Sequence, residues 1–249
     1  MNAATLQSDF PIRSQTSDAD KMALLQVRKI LNDKLGNYTY LEIGSFMGGS
    51  LTPFLKDSRC SAILSVDERN RVQPDERGVK YDYAGITHQT MIDNLRDHGF
   101  DLKKLKTFDG SINDYPSANE KFDLVFVDGE HTDFACFRDF IYSHKLLKKD
   151  SVVVFHDSTL IYKALRIIQE YLTATQEQFR FIKVKDSEVS CIFRNSLSAV
   201  EFEAYFQCEE DLDGFYQNAE REVVSALLKN RLDVNVSIKL KDTPVEKAY

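Results

Sequence analysis

The 249-residue sequence has no tryptophan and only four cysteines, five prolines and ten glycines. The cysteines are far apart and form no Cys-x-x-Cys pair, which is the usage of a reducing compartment and excludes the usual zinc-binding spacing. No apolar run approaches the roughly 20 residues needed to span a bilayer, and residues 1–13 have no apolar core typical of a secretion signal. We therefore expect a cytoplasmic protein that contacts no membrane.

Basic residues are also scarce, with 32 Lys and Arg against 39 Asp and Glu and a formal net charge of −7. A domain that binds DNA or RNA is expected to be basic, so we predict no nucleic-acid partner. Apolar and aromatic residues are abundant by contrast: the chain is 43% hydrophobic and contains 17 Phe and 11 Tyr. This length and composition suit one α/β domain with additions, or at most two domains.

The stretch over residues 40–50 reads YLEIGSFMGGS, and the rest of the chain is organised around it. It predicts a buried strand that carries Glu42 and turns at Gly44 into a helix. Open α/β sheets bind nucleotides beyond the carboxyl ends of such strands, and glycine lets the backbone approach a ligand closely. The dinucleotide pattern G-x-G-x-x-G is broken by Phe46, and the Gly-Lys-Ser/Thr ending of a phosphate-binding loop is absent. A strand-turn-helix without a ligand remains the alternative.

Strands and helices alternate over most of the chain. After a loose arm over residues 1–16 and a helix beginning near Asp18, we predict seven strands, at 38–43, 61–66, 105–108, 122–127, 151–155, 179–184 and 189–193. Helices are expected at about 49–56, 87–98, 133–147 and 161–172, and the third of these should bury Phe134 and Phe140. The connection between the last two strands is so short that it requires an antiparallel hairpin. Residues 69–85 are predicted to form a long polar loop, which could act as a lid.

The glycine turn and this order of elements resemble the class I methyltransferases that use S-adenosylmethionine (SAM). More narrowly, they resemble the catechol-O-methyltransferase branch and the related sugar and antibiotic O-methyltransferases. The resemblance covers about residues 38–194. It implies a Rossmann-like α/β fold with a seven-stranded mixed sheet of order 3-2-1-4-5-7-6, in which only the seventh strand is antiparallel and helices cover both faces.

Three segments follow from this resemblance. Residues 1–37 would be an N-terminal arm and covering helix, and residues 38–195 the SAM-binding domain. Residues 196–249 would form a C-terminal extension, with helices at about 199–206 and 212–232 and a polar tail from Asp233. The extension could be a lid, a homodimer contact or simple packing, and the sequence does not choose among them.

The resemblance assigns the glycine turn and the neighbouring strand ends to SAM. Asp67 ends the second strand 23 residues after Gly44, about where nucleotide-binding folds place the ribose-binding carboxylate. In the resembling enzymes, the loop after the third strand packs along the adenine. The predicted cofactor contacts are Glu42, Gly44, Ser45, Gly48, Ser50, Asp67, Asp109, Gly110, Ser111 and Asp128. For Asp67, an ordinary loop acid is the alternative.

Two carboxylates, Asp128 and Asp157, follow the fourth and fifth strands. Carboxylates at neighbouring strand ends suit a hard divalent cation with oxygen ligands. Catechol-type enzymes hold magnesium in this way, with an acid after the fourth strand and an acid-amide pair after the fifth. Ser158 stands where the amide would be, so His156 or water is left as the third ligand. We predict Mg²⁺ or Mn²⁺ at Asp128 and Asp157. The alternative for each acid is a helix N-cap or an ordinary loop acid without metal.

His131 lies three residues after Asp128, where the catechol enzymes have a lysine that removes the hydroxyl proton. An imidazole with an ordinary pKa near ~6.5 suits a general base at neutral pH, although His131 could instead cap the following helix. We therefore expect His131 and Asp128 to be catalytic in a metal-dependent SAM O-methyltransferase. Its acceptor would be a hydroxyl of a sugar, glycoside or natural-product scaffold. The alternatives are a metal-independent SAM methyltransferase with another acceptor, and a non-catalytic member that binds SAM or a protein.

Overall fold

Seven strands form one mixed sheet in the computed structural model, which describes residues 3–116 and 119–232. These strands are β1 (Tyr38–Ile43), β2 (Cys60–Asp67), β5 (Leu105–Asp109), β6 (Phe122–Val127), β7 (Leu147–Phe155), β8 (Phe179–Lys183) and β9 (Ser190–Arg194). Two short strands, β3 (Val72–Pro74) and β4 (Lys80–Asp82), pair with each other in a separate hairpin.

The order across the large sheet is β5-β2-β1-β6-β7-β9-β8. Since β3 and β4 stand apart, β5 to β9 are the third to seventh strands of the sheet, and the predicted order is confirmed. β9 runs antiparallel to both of its neighbours, β7 and β8, while the other pairings are parallel. The predicted Rossmann-like α/β fold with a closing antiparallel hairpin is therefore confirmed.

Helices cover both faces of the sheet, because its central strands are apolar on both sides. The helices are α1 (Ala3–Asp9), α2 (Asp18–Lys34), α3 (Thr52–Lys56), α4 (His88–Asp97), α5 (Asp133–His144), α6 (Tyr162–Ala174) and α7 (Leu212–Leu232). One core contains Leu24, Phe54 and Met91 of α2 to α4, and the other contains Phe140 and Leu165 of α5 and α6. None of the helices within residues 3–116 and 119–232 combines the length and apolar character needed to cross a membrane.

The N-terminal arm packs on the core from residue 3 onwards, so the prediction of a loose segment over residues 1–16 was wrong for the part that the structure describes. Residues 3–9 form α1, and Leu6, Phe10 and Ile12 are buried in the core beside α2 and α3. Arg28 of α2 reinforces this contact by donating hydrogen bonds to Asp9 and to the carbonyl of Pro53. Three apolar residues at irregular spacing carry no periodic signal, so only the tertiary structure reveals this packing.

Other predicted elements also differ from the structure. The loop over 69–85 contains the β3–β4 hairpin, and the helix at 199–206 is replaced by two short 3₁₀ turns, Asn195–Ala199 and Phe202–Ala204. Phe134 is 77% exposed, because the buried stripe of α5 runs through residues 135, 136, 139, 140 and 143. α7 coincides with the helix predicted at 212–232. The predicted tail from residue 233 lies outside the described residues, and homodimer contact through the C-terminal helices stays a prediction.

Candidate active site

A cavity of about 190 Å³ opens at the carboxyl end of the sheet. Its wall combines the ends of β1, β2, β6 and β7 with the β3–β4 hairpin and a segment of the N-terminal arm. The residues that the strand ends contribute are Gly44, Ser45, Phe46, Gly49, Ser50, Asp67, Glu68, Arg69, Asp128, Gly129, His131, His156 and Asp157. The structure thus brings most of the predicted site residues to one place.

Gly44 lies where the turn after β1 contacts the loop after β6. Its φ is +93°, and a Cβ at this position would lie only 1.9 Å from the carbonyl oxygen of Asp128. The strand ends are also linked by backbone hydrogen bonds, from Gly44 to Val66 and from Asp128 to Ile43. Only glycine fits this crossing, because any side chain would collide with the Asp128 backbone.

Glu42 is fully buried, and it is not among the described residues that line the cavity. Its carboxyl group accepts hydrogen bonds from Tyr40 and Ser50, each at 2.5 Å. Burial raises the pKa of Glu42 to about 8, despite the opposing effect of these two hydrogen bonds. Gly48 likewise faces Leu95 and Met91 of α4. Glu42 and Gly48, both predicted to contact the cofactor, therefore pack against the core side of the turn and do not line the cavity.

Asp67 faces the cavity at the end of β2. Its carboxylate accepts a hydrogen bond from the Phe46 amide at 2.8 Å and lies 3.5 Å from the guanidinium of Arg69. Burial raises the pKa of Asp67, and Arg69 opposes that rise. Asp109 also approaches Arg69, at 3.6 Å, but its side chain is 57% exposed and it is not among the described lining residues.

A second, smaller cavity of about 20 Å³ lies beside the first and is lined by Gly110, Ser111 and Ile112. The two cavities share Gly44, Asp67, Glu68, Gln73 and Gly129. The two adjacent cavities, here together called the groove, lie across the ends of β1, β2, β5 and β6, and the predicted residues Gly110 and Ser111 line the smaller one.

Asp128, His131 and Asp157 form a cluster in which one potential ligand atom from each residue lies within 4.8 Å of the others. The Nε2 atom of His131 is 3.1 Å from Oδ2 of Asp157. Ser158 does not take part, because its hydroxyl group is hydrogen-bonded to the Glu188 carbonyl and to the Ser190 hydroxyl. The third member of the cluster is thus His131, which the sequence had suggested as a base, whereas it had suggested His156 or water as the third ligand.

His156 connects this cluster to the interior. Its Nδ1 lies 3.0 Å from both Asp128 Oδ1 and Asp157 Oδ2, and its Nε2 lies 3.3 Å from Asp20 Oδ2. Burial alone would lower the pKa of His156, but the three carboxylates raise it well above its ordinary value. Burial also opposes ionisation of Asp157, and the hydrogen bond and charge of His156 outweigh it, so that the pKa of Asp157 is lowered.

The β3–β4 hairpin lines the cavity and lies within residues 69–85, for which the sequence had suggested a loop that could act as a lid. Tyr81 packs 6.1 Å from the ring of His131, and Tyr83 packs 5.5 Å from the ring of Phe46. The guanidinium of Arg77 pairs with the buried Asp75 at 2.6 Å and donates to the Tyr81 hydroxyl at 2.8 Å. Two tyrosines at alternate positions, which share one face of a strand, were the available signal.

Two backbone contacts anchor this hairpin and a third contact reaches the N-terminal arm. The Glu76 amide donates to the carbonyl of His131, and Asn230 of α7 donates to the carbonyl of Arg77. Tyr83 donates to Gln15, which lines the cavity together with Ser14 and Thr16. The arm and the hairpin therefore meet over the site.

Comparisons with known proteins relate the chain to methyltransferases. Residues 41–158 match a family model described as a methyltransferase domain. A curated relative, an uncharacterized protein of Acanthamoeba polyphaga mimivirus, is 24% identical over 119 residues, which are 48% of this chain and 51% of that protein. The chain thus spans about half the length of that relative.

Several solved structures share the fold at low sequence identity. The O-methyltransferase NovP is 13% identical with a TM-score of 0.58, over 73% of this chain and 83% of that one. A Bacillus cereus O-methyltransferase in complex with SAH is 13% identical with a TM-score of 0.52, over 78% and 92%. TomG of Streptomyces achromogenes, an O-methyltransferase in complex with SAM, is 15% identical with a TM-score of 0.50, over 78% and 88%. The match over residues 41–158 and the shared fold agree with the predicted resemblance to SAM-dependent methyltransferases.

Proposed function

We propose that the protein transfers a methyl group from SAM to a hydroxyl group of a small molecule, with a divalent cation bound at Asp128, His131 and Asp157. The observation that carries this proposal is the position of that cluster. It opens into the same cavity as the Gly44 turn, so a methyl donor on the turn and an acceptor at the cluster would meet. The neighbouring structures named above are O-methyltransferases, which supports oxygen as the accepting atom.

The residues that line the groove suit the polar groups of the cofactor. Gly44, Ser45 and Ser50 line it at the turn after β1. Asp67 presents a carboxylate at the strand end where ribose hydroxyls are bound in nucleotide folds. Gly110 and Ser111 would lie along the adenine, at the smaller end of the groove. Glu42 would act through Ser50, whose hydroxyl it orients from below the turn.

The donor set also fits a cation. Two carboxylates favour Mg²⁺ or Mn²⁺, and the imidazole of His131 shifts the preference from Mg²⁺ towards Mn²⁺. When bound, the cation would lower the pKa of an acceptor hydroxyl, and SAM would supply the methyl group. Tyr81 and Tyr83 would hold the acceptor against the cluster and keep bulk water away. His131 has two roles open to it, as a ligand or as the base that takes the hydroxyl proton.

A second candidate, a metal-independent methyltransferase, is favoured by one observation. The ring of His156 lies between Asp128 and Asp157 within hydrogen-bond distance of both. A protonated His156 would balance the charge of the two carboxylates without a metal. His131 would then act as a base that is oriented by Asp157, 3.1 Å away.

One experiment separates these functions. S-adenosylhomocysteine (SAH) binding is measured by calorimetry, and methyl transfer to catechols and glycosides is measured with Mn²⁺, with Mg²⁺ and with excess EDTA. We expect SAH to bind and turnover to require the cation. Full turnover in EDTA would support the metal-independent candidate. SAH binding without turnover on any acceptor would favour a non-catalytic binding protein, and failure to bind SAH would contradict both methyltransferase proposals.

A further inference from the structure

We propose that Asp20, in the first turn of α2, is a positioning residue of the acid–histidine cluster and acts through His156. This inference rests on the function proposed above. Asp20 lies outside residues 41–158, the part of the chain that matches the methyltransferase family model. The N-terminal helix would therefore complete a site whose other members all belong to the matched domain.

Asp20 is buried to an unusual degree for an acid in a helix cap. Its residue exposure is 3%, whereas aspartate is seldom fully buried unless it is paired. In a capping box, the acid at the third helical position normally reaches back only to the N-cap residue. Asp20 makes that contact, accepting from the Ser17 hydroxyl at 2.5 Å, but the cap alone would not require burial.

The remaining contacts of Asp20 point towards the site. Oδ1 accepts a hydrogen bond from the Glu188 amide at 2.6 Å, and Oδ2 lies 3.3 Å from Nε2 of His156. Glu188 is in turn bonded to the segment after β7, since its carbonyl accepts from the Ser158 amide. Asp20 therefore sits between the β8–β9 turn and the loop that carries His156 and Asp157.

The ring of His156 is held at both ends. Asp20 faces Nε2, while Asp128 Oδ1 and Asp157 Oδ2 face Nδ1. Phe126 packs against the ring at a centroid distance of 6.3 Å and an interplanar angle of 80°. Fixing the ring in this way fixes one oxygen of each cluster carboxylate. Residues that orient ligands through a hydrogen bond commonly affect metal affinity or activity by 10–100-fold.

The test compares Asp20→Asn with Ser17→Ala. Both substitutions remove a contact of the capping box, but only Asp20→Asn changes the group that faces His156. We expect Asp20→Asn to weaken Mn²⁺ binding, or to lower kcat, by about 10–100-fold, while SAH affinity changes by less than about threefold. Ser17→Ala should leave all three measurements near the wild-type values. Equal effects of the two variants would overturn the proposal, because the cap alone would then explain them.

A double-mutant cycle with His156→Gln tests the route of the effect. If Asp20 acts through His156, its substitution should add little in the His156→Gln background; additive effects would overturn this route. If Asp20→Asn does not fold, Asp20→Glu keeps the charge and displaces the carboxylate, and wild-type Mn²⁺ affinity and kcat in that variant would contradict positioning.

Nuclear magnetic resonance of the imidazole group of His156 gives a result that does not depend on turnover or metal. Its ring resonances should shift in Asp20→Asn and stay in place in Ser17→Ala. Unchanged resonances in Asp20→Asn would overturn the positioning role. If the wild-type protein bound neither Mn²⁺ nor SAH and transferred no methyl group, the proposed function would fail instead, and the resonances would still decide whether Asp20 positions the ring.

Discussion

A Cβ built on Gly44 would lie 1.9 Å from the carbonyl oxygen of Asp128. The turn that follows β1 is therefore pressed against the backbone that follows β6. The first belongs to the proposed SAM site and the second carries the acid–histidine cluster. Because they touch through backbone atoms, neither can shift without the other, and the distance between donor and acceptor would be set by the fold itself.

Gly44→Ala should lower the free energy of unfolding by more than the cost of placing a Cβ on a residue with positive φ. A Cβ at positive φ costs about 1–2 kcal/mol, and overpacking against Asp128 should add about 1–3 kcal/mol. Gly36→Ala is the matched control, because Gly36 has a φ of +76° and no atom within 4 Å of an added Cβ. Urea unfolding measures both. Equal losses of stability would contradict the close contact.

Asp67→Ala should weaken SAH binding by about 1–3 kcal/mol, the loss expected for hydrogen bonds to a charged group. Asp109→Ala is the control, because Asp109 also lies near Arg69 but is largely exposed. Titration calorimetry should give a much smaller loss for Asp109→Ala. Similar losses in both variants would indicate that charge balance at Arg69 matters and that Asp67 has no direct role.

Sequence patterns predicted the sheet order and the meeting of Asp128 with Asp157. The order follows from the resemblance to class I methyltransferases. The meeting of the two acids follows from a local signal, because the ends of parallel neighbouring strands lie at one edge of the sheet. The sequence pattern could also have predicted that the Glu42 side chain points into the core. Glu42 and Tyr40 are two residues apart, so they share one face of β1, and Tyr40 is a core residue.

The hairpin and the role of Asp20 could not be predicted in the same way. β3 and β4 have three residues each, too few to display a period of two. Asp20 is separated by 136 residues from His156 and by 168 from Glu188. The helix cap at Asp20 can be predicted from the neighbouring residues. The burial of its side chain depends on where α2 packs, and no local sequence pattern predicts that.

Tyr81→Ala should raise the KM for the acceptor by roughly 10-fold, because aromatic contacts contribute about 0.5–1.5 kcal/mol beyond the area they bury. Tyr81 lies beside His131 on the hairpin, so the affinity for SAH should stay unchanged. Tyr142→Ala on the exposed side of α5 is the control. Steady-state kinetics with varied acceptor, together with SAH titration, would measure both effects. A change confined to SAH affinity would place Tyr81 in the cofactor site.

Because of the Glu42 carboxyl group, the free energy of unfolding should fall as the pH rises from about 4.5 to about 8. Its pKa is raised to about 8 in the folded protein from an ordinary 4.5. Between these values the folded state keeps a proton that the unfolded state releases, so folding is opposed increasingly until the pH passes 8. Glu42→Gln should remove this pH dependence, which amounts to a change on the order of a few kcal/mol in the free energy of unfolding.

Urea unfolding of wild-type and Glu42→Gln protein at pH 5, 7 and 9 would measure this effect. Glu210→Gln, at an exposed position, controls for the loss of one carboxyl group. The stability of Glu42→Gln relative to wild type should increase steadily from pH 5 to pH 9. A constant difference across this range would show that Glu42 is already ionised in the folded protein.

His131→Ala should lower kcat by about 10²–10⁴ if His131 is the general base, and high pH should restore part of the rate as the acceptor ionises unaided. His98→Ala, at an exposed position on the far end of α4, should have no effect. The affinity for Mn²⁺ then separates the two roles open to His131. A base can be removed with little change in metal affinity, whereas removal of a ligand weakens metal binding and leaves no rescue at high pH. The 3.1 Å contact between His131 and Asp157 suits either role, so kcat and Mn²⁺ affinity must be measured on the same variant.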